Sequence, residues 1–167
     1  RENDHTDLVD LQNEANQAFD DELTKYSKLS NRDASGKGKD EHSVGIRNKF
    51  TKFDKGLKDR MLKSIKSDNV RNNFDQWYSN KAHGIGNQVT RSEHGKVQKH
   101  KADVYTSTKS ILLDQAKKSP YSIGGAKARL NEALELVGPK GAGMFSPEGL
   151  KAEKLKITGQ LSKITAT

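Results

Sequence analysis

Apolar residues recur three or four positions apart along most of the chain, and this period predicts amphipathic helices. The first stripe predicts a helix from about residue 6 to residue 29, with Thr6 as its N-cap. A second helix is predicted after Ser43, which can also cap. The first stripe contains Leu8, Leu11, Ala15, Ala18, Phe19, Leu23, Tyr26 and Leu29, and the second contains Ile46, Phe50, Phe53, Leu57, Met61 and Ile65. No segment keeps the alternation of a strand, so we expect an all-α chain with no sheet.

Between these two helices the chain is polar from Ser30 to Ser43, with Gly36 and Gly38 among lysines. Glycine in a polar run is typical of a connection rather than of a packed element. We therefore expect an exposed loop over residues 30–43 that adds nothing to a core.

A second junction, at residues 67–69, decides the topology of the first part of the chain. Ser67 and its two neighbours can end one helix or cap the next, so the chain either turns there or continues. Beyond them Val70, Phe74, Trp77 and Tyr78 keep helical spacing. The aromatic pair Trp77 and Tyr78 is more typical of a core than of a base-stacking platform. The helix-packing seam is predicted to consist of Ile46, Phe50, Phe53, Leu57, Met61, Phe74 and Trp77.

A very long central helix is predicted from about residue 68 to residue 118. Gly84, Gly86 and Gly95 weaken it, since glycine costs about 1 kcal/mol relative to alanine inside a helix. Helical spacing then resumes before Pro120, at Val104, Ile111, Leu112 and Ala116. At about 1.5 Å per residue such a helix approaches about 75 Å, so we expect an elongated bundle, with any bend near Gly84 and Gly86.

Two shorter helices follow. One carries an apolar stripe that ends at Gly138 and Pro139, the usual stop pair. The other opens at Ser146 and Pro147, an N-cap and a first-turn proline. Their stripes are Ile123, Ala126, Leu130, Leu134 and Val137, then Leu150, Leu155, Ile157, Leu161 and Ile164. We expect residues 1–119 to form one elongated helical hairpin or bundle, and residues 120–167 to form a short helical pair that continues beyond the sequence.

Composition agrees with thin, solvated helices. Only 31% of the residues are hydrophobic and 31% are charged, which suits helices with narrow apolar stripes. The competing interpretation is a disordered chain, because hydrophobicity is low and the net charge is +8. The chain has no cysteine, so it can form neither a disulfide nor a thiolate site. It also has no apolar run long enough to span a membrane and no signal peptide, and it does not begin with methionine. We expect a soluble piece of a longer polypeptide.

Charge is divided unevenly along the chain. Residues 1–22 hold eight acidic residues and one basic residue, whereas the remainder holds 29 basic and 14 acidic residues. A basic body attracts polyanions such as DNA, although lysines also simply solubilise thin helices. The best candidates for contact with a phosphate backbone form a basic tract, which we define as Arg91, Lys96, Lys99 and Lys101.

No catalytic arrangement emerges from the sequence. None of the five histidines forms the paired motif of a zinc hydrolase. Glu14 and Glu22 are conceivable glycosidase acids, but other acids surround them, which favours a solvated face. The glycine and lysine runs at residues 36–39 and 138–141 lack the spacing of a phosphate loop. We therefore predict no enzymatic activity, no cofactor and no metal site.

Two segments carry a resemblance to a known family. They are Asn31, Arg32, Gly36, Lys37, Gly38, Lys39 and Asp40 in the loop, and Lys66, Ser67, Asp68, Asn69, Val70, Arg71, Asn72, Asn73 and Phe74 at the junction. With them, over roughly residues 15–120, the chain resembles the long-helix internal virion or DNA-ejection proteins of short-tailed bacteriophages and prophages. Those proteins tend to have a helix, a polar loop, a helix with spaced phenylalanines and lysines, and a junction leading into a very long charged helix. The chain departs from them by the inserted residues 33–35 and by the glycines in its long helix.

The resemblance implies a structural part of a virion, made in the bacterial cytoplasm, that travels with the genome or helps to form a conduit for it. Such a protein would assemble into homo-oligomers, would contact other virion proteins, and would meet genome DNA or the host envelope. The alternative hypothesis is a basic, cytoplasmic helical module without phage origin that binds nucleic acid or a host component.

Overall fold

The computed structural model describes residues 2–36 and 45–166, and every regular element in these ranges is helical. The prediction of an all-α chain is thereby confirmed for the described residues, as are the very long central helix and the two shorter helices after it. The central helix runs unbroken through Gly84, Gly86 and Gly95. The helices are α1 (Glu2–Ser27), α2 (Asn31–Ala34), α3 (Ile46–Ser64), α4 (Asp68–Lys118), α5 (Ile123–Val137) and α6 (Pro147–Ala166), with a 3₁₀ turn at Pro120–Ser122.

The chain divides into two compact units, which we call the first unit (Arg1–Val97) and the second unit (Gln98–Thr167). The division falls inside α4, whereas the sequence suggested a boundary between residues 119 and 120. Pro120 marks the place where a helix ends. The units are defined instead by packing: the first part of α4 packs against α1 and α3, and its last part packs against α5 and α6.

In the first unit, α1, α3 and the first half of α4 share one hydrophobic core. Each helix contributes the apolar stripe that its spacing predicts, so three narrow stripes suffice to build the core despite the low apolar content. Leu8, Leu11, Leu23 and Leu29 pack against its edge. The buried residues are Ala15, Phe19, Tyr26, Ala34, Ile46, Phe50, Leu57, Met61, Ile65, Val70, Phe74, Tyr78, Ala82, Ile85 and Val89.

The chain turns between α3 and α4, so the junction at Ser67 begins a new helix. The Ser67 hydroxyl accepts a hydrogen bond from the Val70 amide at 3.3 Å and thereby caps α4. The Arg71 guanidinium donates to the Ile65 carbonyl at 2.5 Å, which satisfies an oxygen at the end of α3. Farther along, the Lys58 ammonium on α3 lies 3.2 Å from the Asp75 carboxylate on α4. The two helices therefore run side by side and form a hairpin.

Two predicted helix starts are wrong. Thr6 lies inside α1, which begins at Glu2. Ser43 is outside the described residues, and the N-cap of α3 is Gly45, which has no side chain to cap with. The Glu93 carboxylate of α4 lies against Gly45, where it places negative charge at the start of α3. Because that acid is distant in sequence, no local motif could have indicated it.

The predicted loop over residues 30–43 is partly helical. Ser30 caps the short helix α2 by accepting a hydrogen bond from the Asp33 amide at 3.1 Å. Ala34, at the end of α2, is completely buried, so the expectation that this segment adds nothing to a core is wrong. The rest of the predicted loop, residues 37–44, lies outside the described residues.

The second unit is built from the end of α4 together with α5 and α6. Phe145, Leu150 and Ile164 pack against the edge of its core. The buried residues are Tyr105, Leu112, Ala116, Ala126, Leu130, Leu134, Val137, Ile157 and Leu161. Both short helices thus pack the stripe that their sequences predict against this core, with Ile123, Leu150 and Ile164 half-buried and Leu155 exposed.

The connection between α5 and α6 follows its local sequence signals. Gly138 ends α5, and its amide donates to the Glu135 carbonyl at 3.4 Å. Gly143 has a φ of 70°, a left-handed conformation that favours glycine. The Ser146 hydroxyl then accepts from the Gly149 amide at 3.0 Å, which confirms Ser146 as the N-cap of α6.

Candidate functional site

The predicted helix-packing seam lies in the core of the first unit. Five of its members are buried, namely Ile46, Phe50, Leu57, Met61 and Phe74. Phe53 and Trp77 are half-buried and pack against that core. Trp77 lies 5.8 Å from the Phe74 ring, which agrees with a packing role for this aromatic side chain.

Phe19, which the predicted seam omits, connects α1 to the seam. Its ring centroid lies 6.1 Å from both Phe50 and Phe53 on α3, and 5.4 Å from Tyr78 on α4. With 1% of its surface exposed, it packs against aromatic residues of the two other helices, α3 and α4. Its place in the first apolar stripe was the available signal, but the sequence does not reveal which partner helix it meets.

Tyr78 provides the main polar anchor between α3 and α4. Its hydroxyl lies 2.8 Å from the Asp54 carboxylate and 3.0 Å from the Asp54 carbonyl, and donates toward both. Burial, followed by the hydrogen bond to Asp54, raises the pKa of Tyr78 above its ordinary value. The hydroxyl therefore stays protonated and acts as a donor that aligns the two helices.

A corresponding polar anchor lies in the second unit, where α4 meets α6. Tyr105 donates to Glu153 at 2.8 Å, and Lys109 donates to the same carboxylate oxygen at 2.6 Å. Burial alone would raise the pKa of Glu153, but the hydrogen bonds from Lys109 and Tyr105 outweigh it and lower that pKa. The Phe145 ring closes the anchor with an edge contact to Tyr105 at 5.7 Å.

The basic tract does not form one cationic face. Arg91 is exposed, but Lys96 is half-buried beside Tyr26 in a cavity of about 160 Å³. Both belong to the first unit, and because they are five positions apart their side chains point about 140° apart around the helix. Lys99 and Lys101 are both exposed and belong to the second unit. They are two positions apart, so their side chains are separated by about 200° around the helix, which is about 160° measured the shorter way. Within each unit the two cations therefore point to different sides of α4.

Two open grooves lie in the first unit. One, of about 370 Å³, runs between α3 and α4 and is lined mainly by polar side chains, including Arg47, Asp54 and His83. The other, of about 400 Å³, lies between α1 and the α3–α4 turn. We call it the acid-rimmed groove: its acids are Asp7, Asp10 and Glu14, its apolar members are Leu11, Ile65 and Val70, and Ser64, Lys66 and Ser67 complete its lining.

The two glutamates considered as glycosidase acids, Glu14 and Glu22, differ in exposure and in what they contact. Glu14 is exposed and lines the acid-rimmed groove. Glu22 is half-buried and lies 3.7 Å from the Lys25 ammonium. The two glutamates therefore have different surroundings. Among the described residues no group of three or more histidines and acids could hold a metal ion.

Exposed large apolar side chains are concentrated in the second unit. Within residues 2–36 and 45–166 there are seven, and all but Val9 belong to that unit. The sequence places Val104, Ile111 and Leu155 at helical apolar spacing, and in the structure these three side chains are exposed. The six are Val104 (49% exposed), Ile111 (56%), Tyr121 (101%), Leu136 (68%), Met144 (45%) and Leu155 (74%).

Leu136 and Leu155 lie on the outer faces of their helices. Leu136 is two positions after the buried Leu134, and Leu155 is two positions before the buried Ile157. Two positions correspond to about 200° around a helix, so both leucines point away from the core of the second unit.

No protein family, curated protein or solved structure matches the chain. None of the described helices is both long and apolar enough to cross a membrane. The function is therefore inferred from the residues and their geometry.

Proposed function

We propose that the chain is a structural component of a bacteriophage particle that works by helical assembly and performs no catalysis of its own. The observation that carries the proposal is the set of exposed apolar side chains in the second unit. Single exposed hydrophobic residues are ordinary, but six within one small unit indicate surface that is covered in an assembly.

The outer leucines of α5 and α6 supply the driving force in this proposal. Leu136 is 68% exposed and Leu155 is 74% exposed, so most of each side chain remains available for burial. Complete burial of a leucine stabilises by about 1.5 to 3 kcal/mol, so each of these would add about 1 to 2 kcal/mol. Contributions of this size favour association between copies when the local concentration is high, as it is inside a particle.

The likeness to internal virion and ejection proteins supports the particle as the place of action. The helices described above agree with that likeness in one respect, since a helix, a turn at Ser67 and a very long helix follow one another. The partners proposed are further copies of the chain and other virion proteins, with genome DNA or the host envelope in contact with the assembly.

The proposal is tested by measuring the mass of the protein over a wide concentration range with sedimentation and light scattering. We expect reversible association, which Leu136→Ser with Leu155→Ser weakens and Val9→Ser, the matched exposed control in the first unit, leaves unchanged. Circular dichroism verifies that each variant remains helical. A chain that stays monomeric at every concentration would refute assembly.

The location is tested separately by mass spectrometry of purified particles from a bacterium that encodes the chain. We expect the protein to copurify with particles in a fixed ratio to the capsid protein. Its absence from particles, with the protein present in the cell lysate, would refute the virion role.

A second candidate function, nonspecific DNA binding, is favoured by the exposure of Arg91, Lys99 and Lys101. It is placed second because Lys99 and Lys101 point to opposite sides of α4 and Lys96 is half-buried. Replacing the basic tract with glutamine would reduce a DNA affinity that falls steeply with salt, whereas an affinity unchanged by the replacement would exclude the tract.

A further inference from the structure

The outer face of α6 combines one exposed leucine with lysines on either side. Leu155 projects from this face, and Lys151 and Lys156 are exposed beside it. Gly159, one turn farther on, has open space where a side chain would be, and Ala152 is small. The result is a projecting apolar side chain on a smooth helix surface, with a lysine on each side of it and the exposed Glu148 two turns before it.

The acid-rimmed groove of the first unit has the opposite character. Ile65 and Val70 are buried and give the groove an apolar lining, together with Leu11. Asp7 and Glu14 are exposed along its edge and, like Asp10, have no ion-pair partner among the described residues. Lys66 is the only cation among the described residues that line it. The groove is therefore suited to an apolar side chain carried by a basic helix.

We propose that Leu155 of one copy docks into the acid-rimmed groove of a second copy, with Lys151 and Lys156 beside the acids of the rim. The inference rests on the proposed function, because it names the contact through which the chain assembles. The groove, of about 400 Å³, has room for a leucine side chain, and the flanking charges are complementary.

Charge also decides between the two ways in which copies could pair. Two α6 faces placed together would bring Lys151 and Lys156 of both copies close to one another, and that like-charge contact is unfavourable. A groove-to-α6 contact instead pairs acids with lysines. This contact joins two different surfaces, so each copy keeps one surface free, and assembly continues into a ring or an open filament.

The test uses two charge-reversed forms of the whole chain. The first is Lys151→Glu with Lys156→Glu, and the second is Asp7→Lys with Glu14→Lys. Each should weaken self-association by about tenfold or more, because attraction across the contact becomes repulsion. An equimolar mixture should associate again, since the reversed groove of one form then faces the reversed helix of the other. Wild-type association should also weaken as salt screens the contact.

The matched control is Lys52→Glu with Lys55→Glu, which changes net charge equally on exposed positions of α3 and should leave association unchanged. Association of the wild type that neither reversal weakens would overturn this contact while leaving the proposed function intact. If the lysine-reversed form loses self-association and the mixture does not restore it, the contact is also overturned. The same holds if the lysine-reversed form loses DNA binding but still self-associates. A wild type that never associates would refute both proposals.

Discussion

Removing the Tyr78 hydroxyl isolates the contribution of one polar contact to the first unit. The side chain is 1% exposed and its oxygen lies 2.8 Å from the Asp54 carboxylate. A hydrogen bond to a charged group contributes about 1.5 to 3 kcal/mol. Because Asp54 lines an open groove, water can replace part of that bond, so we expect Tyr78→Phe to lower the free energy of unfolding by about 1 to 2 kcal/mol.

The other three tyrosines supply matched comparisons for the same change. Tyr105→Phe should cost about as much in the second unit, because its hydroxyl donates to Glu153. Tyr26 is 6% exposed, and burial followed by the nearby Glu22 carboxylate raises its pKa, but within the described part of the chain its hydroxyl makes no hydrogen bond of ordinary geometry. Its removal should cost less than about 0.5 kcal/mol. Tyr121 is fully exposed, so Tyr121→Phe is the neutral control.

Urea unfolding followed by circular dichroism measures these differences, with each transition assigned by the variant that shifts it. A Tyr78→Phe chain as stable as Tyr121→Phe would refute the assigned role of the Asp54 contact. Tyrosinate absorbance provides a second measurement. Burial raises the pKa of Tyr78 and of Tyr105, so their contribution is complete below the ordinary value of about 10 and is lost as the pH rises above it.

Two further predictions concern glycine and a half-buried carboxylate. Gly84→Ala, in open space within α4, should stabilise by up to about 1 kcal/mol, whereas Gly45→Ala should destabilise by about 1 kcal/mol by displacing the Glu93 carboxylate. In thermal unfolding, equal shifts for the two would contradict this assignment. Because the pKa of Glu153 is lowered, its contribution is present above the ordinary carboxyl pKa of about 4.3 and is lost as the pH falls. Glu153→Gln should reduce the loss of the second unit's unfolding free energy as the pH falls below that value. The same pH dependence in the variant as in the wild type would contradict the pairing of Glu153 with Lys109.

Helix boundaries were predicted best where the signal is local. Residues 68–118, Gly138 and Ser146 mark starts and stops through caps and helix-ending residues that act on their own neighbours. Gly45 was missed because the charge at the start of α3 comes from Glu93, on another helix. A rule that uses adjacent residues cannot detect such a contact.

The side chains that join the helices were largely beyond the sequence. Tyr78 meets Asp54 across a separation of 24 residues, and Tyr105 meets Glu153 across 48. Periodicity places each residue on a helix but does not identify its partner. For the same reason the spacing does not predict the exposure of Leu155: spacing shows that a residue is apolar and helical, whereas its burial depends on how wide a face the neighbouring helices cover.

The short connection between α3 and α4 also bears on the order in which the first unit forms. Ser67 caps the new helix and Arg71 binds the Ile65 carbonyl, so the reversal of direction is specified within a few residues. A short loop loses little chain entropy on closing, and contacts between sequence neighbours form fastest. During synthesis the α3–α4 hairpin should therefore pair as soon as both helices have left the ribosome. The acidic α1, made earlier, would then find its binding surface already assembled.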